Sequence, residues 1–318
     1  MASAIRTAAD LRQHLGLPPA TNAAAERDFP TFVPIEFAAR IRRGDPDDPI
    51  LRQVLPDTEE DRLVPGFGGD PVGDLPAAAG GGLIHKYDGR ALLITTAACG
   101  VHCRYCFRRE FPYIDQSTRS QNYAPALAAI GRDPTITEII LSGGDPLTLD
   151  DPAIDRLLSD LESIPHLTRI RIHSRMPIVI PSRITDTLIR RLRQSRLVPW
   201  MVVHTNHANE IDAAVTTALS KLIDHGIPTL NQSVLLAGVN DNLEALKQLS
   251  ETLIDHRVIP YYLHQIDRAA GTHHFEVPHQ RGLHLITQLK NRLPGYAVPQ
   301  YVQDLPGQGS KLPVVVKD

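Results

Sequence analysis

Six short apolar runs recur along the chain at nearly even spacing, and this periodicity limits the fold more than any other feature. Leu92–Thr96, Glu138–Ser142, Thr168–His173, Val198–His204, Pro228–Leu235 and Ile259–Gln265 read as strands, and from the second onward their starts lie about thirty residues apart. Between them lie amphipathic stretches such as Ile184–Leu197, Glu210–His225 and Asn242–His256, the last two stopped by Gly226 and Pro260. That spacing is the length of one strand-plus-helix step, and continuous apolar runs suit a parallel sheet covered on both faces. No stretch repeats another in sequence, so the period is structural.

The polar residues favour an incomplete α/β barrel over a doubly wound sheet. Cys99, Gly143-Gly144-Asp145, Ser174-Arg175, His204 with Asn206, Gln232 and Asp267 are expected at or just past strand C-termini. In a barrel that rim carries the active site. The fold expected is a partial TIM-like (β/α)6 barrel.

The remaining composition excludes other classes. The chain has 318 residues, 42% hydrophobic and 22% charged, which suits a globular protein with a real core. A net charge of −3 gives no bulk attraction to nucleic acid or a membrane surface. No run of about 18 apolar residues occurs, and MASAIRTAADLRQHLG lacks the apolar centre of a signal peptide, so a cytoplasmic protein is expected. Residues 1–84 hold helical stretches (Thr7–Leu15, Pro34–Arg43) and the turn-rich PGFGGDPVGDLPAAAGGG, and read as a segment packed on the barrel. The barrel is expected over 85–293 and a short C-terminal segment over 294–318.

All three cysteines, Cys99, Cys103 and Cys106, fall within eight residues. An odd, clustered set argues against disulfides. Structural zinc closes its shell with four ligands, whereas a [4Fe–4S] cluster on three thiolates leaves one iron open. The spacing favours the cluster over zinc, with inert buried thiols third. C-x3-C-x2-C resembles the signature of the radical S-adenosylmethionine (SAM) superfamily. LSGGDPL, Leu141–Leu147, resembles that superfamily's glycine-rich element beside the SAM amino group: glycines allow close approach, and Asp145 offers an acceptor. Only six of the 33 basic residues are lysines, and one of them, Lys311, follows the turn DLPGQGS. It is a candidate Schiff-base residue for pyridoxal phosphate (PLP).

Taken together, HKYDGRALL, CGVHCRYCFRREFPY, LSGGDPL, RIHSRMPIVIPSRIT, HTNHANEI, LNQSVLLAGVND, PYYLHQIDRAAGTHHF and GYAVPQYVQDLPGQGSK resemble the lysine 2,3-aminomutase family from His85 to Lys311. PDDPILRQVL, IHSR, LHQID and a chain that stops soon after Lys311 resemble the branch that makes β-lysine for elongation factor P. The resemblance implies that Cys99, Cys103 and Cys106 hold the cluster and Lys311 holds PLP. It places Lys86, Tyr87 and Arg90 around PLP, and Gly143, Gly144, Asp145, Gln232 and His204 near SAM. Arg108 would bind the substrate carboxylate, and Asp267 with Asp304 the distal ammonium of lysine. Two departures stand out: His264 occupies the family's aromatic position near the PLP ring, and the run before Lys311 is GQGS rather than all glycine.

The reaction implied begins when the reduced cluster cleaves SAM to a 5′-deoxyadenosyl radical. That radical takes a β-hydrogen from lysine held on PLP, and nitrogen then moves from C2 to C3. Partners implied are lysine, an electron donor and, functionally, elongation factor P with its lysyl ligase; nothing in the sequence opposes a homo-oligomer. Two other readings are a related aminomutase for another amino acid and a non-catalytic iron–sulfur or zinc module.

Overall fold

The computed structural model describes residues 3–19, 23–113 and 119–315. A short pairing of β1 (Ala4–Ile5) with β2 (Val33–Pro34) opens the chain. The main sheet has nine strands: β3 (Leu83–Tyr87), β4 (Arg90–Thr96), β5 (Glu138–Gly143), β6 (Arg169–Ser174), β7 (Val198–His204), β8 (Thr229–Leu235), β9 (Ile259–Gln265), β10 (Gln300–Gln303) and β11 (Leu312–Pro313). Its order runs from β11 to β3 without a crossing. Strands β4 to β10 pair in parallel, and β3 and β11 flank them antiparallel. All six expected strands are present within two residues at either end.

The sheet extends the expected six-unit barrel by a seventh parallel strand. Helix His279–Lys290 returns the chain to β10, which pairs with β9. At four residues, with Pro299 just ahead of it, β10 carries too little apolar pattern to read alone. Two further expectations change. The helix expected over Pro34–Arg43 is confined to Ile35–Ala38, because Asp48 accepts from the amides of Arg42, Ile50 and Leu51 and draws the chain into a turn. Helix Leu243–Asp255 is not stopped by Pro260, which lies inside β9. It stops at Arg257, held at φ 61°, where the preceding helix uses Gly226 at φ 77°.

Side-chain caps start the crossover helices. Asp150, Thr185, Asp212 and Asn242 each accept from a first-turn amide, a contribution of about 1 kcal/mol apiece. The largest apolar cluster runs from Leu11, Leu15 and Phe37 of the N-terminal segment to Ile139, Ile170 and Met201 of the strands, so that segment shares the barrel's core.

The interior positions set this fold apart from a closed barrel, where branched apolar side chains fill the middle. Glu138, Arg171, His173, His204, Gln232, Tyr262 and His264 line a cavity of about 570 Å³ instead. Gln232 stands in the middle of β8 and reaches the cavity from the barrel wall, not from the rim where it was expected.

Candidate active site

Every residue singled out in the sequence lines this one cavity except Asn206, which is buried beside it and bonded to Gln53, Val234 and Asn240. The cysteines lie on the loop after β4, and their thiols are half-buried. Beneath them Arg104 is fully buried; it donates to Glu60 Oε1 at 2.8 Å and to the Phe29 carbonyl at 2.6 Å. Arg109 donates to the same Glu60 at 2.8 Å, and both guanidinium groups stand 4.9 Å from the Phe29 ring. The N-terminal segment thereby clamps the cysteine loop through one buried carboxylate.

Burial and the neighbouring thiols push Cys99 well up and Cys106 up to about 11. Arg175 Nη1 donates to Cys103 Sγ at 2.7 Å and to the Tyr105 hydroxyl at 2.6 Å, while its Nη2 pairs with Glu210 at 2.9 Å. Tyr105 in turn lies 2.8 Å from His204 Nε2. Burial and the charge of Arg175 hold His204 down to about 3, so its nitrogen accepts the tyrosine proton. Among the described residues, no three His, Cys, Asp or Glu side chains are arranged to hold a single metal ion.

The glycine-rich turn works differently from the sequence expectation. Gly143 takes φ 113°, and a Cβ on Gly144 would stand 2.3 Å from the Ala98 carbonyl. The amides of Gly144 and Asp145 donate to Thr96 and Ala98, both at 2.7 Å. These glycines fasten the end of β5 to the start of the cysteine loop. Asp145 does not offer its carboxylate to an outside ammonium. It already accepts from Ser174 Oγ at 2.7 Å and from the amides of Leu147, Arg175 and Met176, which uses its acceptor positions.

At the other end of the cavity, β10 and β11 form a hairpin that presents Asp304 and Lys311 together. Lys311 Nζ donates to Asp304 Oδ2 at 2.6 Å, and the Tyr87 hydroxyl donates to Oδ1 at 3.0 Å. Tyr87 ends β3 and Asp304 follows β10, so this contact bridges the open side of the barrel. Asp267 lies close enough to feel both Lys311 and Asp304, and burial pushes it up to about 7. Asp74, which the sequence gave no reason to single out, pairs with Lys86 at 2.6 Å and with Arg108 Nε at 2.7 Å. Arg108 also donates to Ser142 at 3.3 Å. Arg90 stacks over the Tyr87 ring at 4.6 Å, and His264 is buried with its edge against Tyr262. The GQGS departure is mild, since Gln308 is exposed and only Gly307 takes a positive φ.

The profile of the Radical SAM superfamily matches residues 93–249. The chain is 44% identical over 291 residues to L-lysine 2,3-aminomutase of Escherichia coli, covering 92% of this chain and 85% of that one. It is 36% identical to the protein of the same name from Acetoanaerobium sticklandii, covering 98% and 76% respectively. The chain belongs to the lysine 2,3-aminomutase family. It is therefore an enzyme, an isomerase of the radical SAM type. SuiB from Streptococcus suis shares the fold with a TM-score of 0.50 at 11% identity, over 69% of this chain and 50% of that one.

For the aminomutase family, a [4Fe–4S] cluster and SAM are part of the chemistry, and the cysteine end suits them. Three thiols face one cavity and a guanidinium already donates to one sulfur, a contact that strengthens once the thiol becomes a thiolate. Glu60 and Asp74 escaped sequence reasoning as functional residues because their partners are remote in the chain. Their only local signal is a charged residue within an otherwise turn-rich or apolar stretch.

Proposed function

We propose that this enzyme converts L-α-lysine to β-lysine by moving the amino group from C2 to C3. The cluster and SAM, once bound, supply a radical that removes a hydrogen atom, and PLP carries the migrating nitrogen. Cys99, Cys103 and Cys106 hold the cluster, and Lys311 holds PLP with Lys86, Tyr87 and Arg90 around it. Gly143, Gly144, His204 and Gln232 lie on the SAM side. Arg108, oriented by Asp74 through Nε and by Ser142 through Nη1, receives the substrate carboxylate. Asp304 and Asp267 receive the distal ammonium, and the enclosing barrel keeps water from the reacting atoms.

One observation carries the reading: two carboxylates and a lysine ammonium meet at the far end of the cavity that holds the cysteines. Lys311 lies where the reading puts a substrate ammonium, and its pairing with Asp304 supports a site suited to a primary amine. A distal carboxylate, as in glutamate, would be repelled there. The family branch further suggests that the β-lysine serves elongation factor P through its lysyl ligase, with a separate electron donor and a cytoplasmic location. No helix among the described residues is long and apolar enough to cross a membrane. We keep 1–84, 85–293 and 294–318 as working divisions of the chain.

The test is anaerobic reconstitution with iron, sulfide and PLP, followed by lysine, SAM and a reductant, with the product resolved on a chiral column. β-Lysine is expected, with four irons per chain and PLP fixed on Lys311 by borohydride. One zinc per chain, or turnover of another amino acid in preference to lysine, would overturn the reading.

A further inference from the structure

Five buried side-chain atoms among the described residues have no hydrogen-bond partner. Thr31 Oγ1, His273 Nδ1 and His274 Nδ1 lie outside the cavity, whereas Arg175 Nε and His173 Nε2 belong to residues that line it. Arg175 is bound on its other nitrogens by Cys103, Tyr105, Gln53 and Glu210. His173 has no such anchoring. Among the polar side chains that line the same cavity, Arg171 is matched with Glu138, Tyr261 with Tyr262, and His204 with Tyr105. A buried imidazole nitrogen left without a partner costs free energy that a ligand atom can recover.

The surroundings say which ligand. His173 lies within electrostatic reach of Lys311, and so does His264 on β9. Both histidines line the cavity that would take whatever Lys311 holds. We propose that His173 Nε2 forms a hydrogen bond to a polar atom of the PLP ring, making His173 a cofactor-binding residue. This rests on the reading that Lys311 holds PLP.

Burial, together with the cations Arg171, Lys311 and Arg108, keeps the imidazole neutral. A neutral imidazole gives one donor and one acceptor and brings no charge to the ring. Enzymes that use PLP as a sink for carbanions commonly set a charged partner against the ring nitrogen. A neutral partner fits a reaction in which the ring carries a migrating radical instead.

The test uses the full chain without SAM or reductant, so no turnover enters. PLP is titrated by absorbance into wild type, H173L and H173Q, and borohydride fixation reports the label on Lys311. H173L should bind PLP about tenfold more weakly, the equivalent of one hydrogen bond, with a displaced absorbance maximum. H173Q, which keeps a donor and an acceptor, should restore both. Wild-type affinity and spectrum in H173L would overturn the proposal. Should H173L fail to fold, wild type labelled with 13C-histidine gives the same answer. The His173 ring signal, identified by its absence in H173Q, must move when PLP is added, and an unmoved signal overturns the proposal. Wild type that takes no label on Lys311 would instead overturn the PLP reading beneath it.

Discussion

The two ends of the cavity are prepared for their ligands in opposite ways. At the cysteine end, Cys99 and Cys106 are pushed toward the neutral thiol by burial and by a neighbouring thiol, Cys106 in the first case and Cys103 in the second. At the lysine end, Asp304, Lys311, Asp74, Lys86 and Arg108 are already paired as ions. Metal binding at the first end must expel protons. On the proposed reading, ligand binding at the second replaces one cation by another. The supports differ too: the cysteine loop is clamped by buried Arg104 and Glu60, whereas residues 305–310 before Lys311 are exposed.

The largest effect is expected at the cysteine end. C103A leaves two thiols, which cannot hold the cube, so iron content and SAM cleavage should fall essentially to nothing. Circular dichroism should still report a folded chain, because the apolar core is built without metal. Four irons retained in this variant would break the contrast, since the metal would then lie elsewhere.

Next in size is the exchange of cations at Asp304. In the PLP-loaded enzyme, D304N should weaken lysine binding by at least tenfold. Truncating one partner of a buried charge pair costs about 2–5 kcal/mol. D267N should act likewise, and the double variant should be non-additive because both groups serve one ammonium. Isothermal titration with cofactor content checked in parallel reads the effect. Near-normal affinity in both single variants would reopen the choice among amino acids.

Part of this contrast was legible in the sequence. The six apolar runs foretold strands β4 to β9, since burial on both faces leaves a strong signal within each run. Strands β3 and β10 left none: they are short, and one follows a glycine triplet while the other follows a proline. Cys99, Cys103, Cys106 and Lys311 could be singled out as candidates because the proposed chemistry calls for those residue types, three thiols at close spacing and a lysine after a glycine-rich turn. Asp145 was visible as an acid in a turn, but the four donors that occupy it come from the folded chain. Glu60 and Asp74 were invisible for the same reason, their partners Arg104 and Arg108 being 44 and 34 residues away.

A smaller effect should appear on changing pH. Asp267 sits at about 7, mainly through burial, with Lys311 opposing the shift. Below that value it is protonated and offers an ammonium no charge; above it, it is ionised. Its ionised fraction climbs from about a tenth at pH 6 to about nine-tenths at pH 8. Lysine affinity should therefore increase up to about tenfold across that interval, and D267N should flatten the rise. A wild-type profile that is flat or falls with pH would remove Asp267 from the ammonium site.

The smallest effect concerns the exposed hairpin loop, where the chain departs from an all-glycine run. Gln308 is solvent-exposed and has no positive φ, so it makes no demand that only glycine meets. Gly307, at φ 76°, does make that demand. Q308G should therefore cost at most about 1 kcal/mol, through the greater freedom it gives the unfolded chain. PLP loading on Lys311 should be unchanged, because Asp304 and not the loop fixes the lysine. The matching change at the other end, E60Q, removes the charge from a buried carboxylate that holds two arginines, and should cost about 3–5 kcal/mol together with iron content. Urea unfolding of the metal-free proteins compares the two directly. If Q308G lost as much stability as E60Q, the loop before Lys311 would be as firmly built as the cysteine loop, and the difference in support between the two ends would not hold.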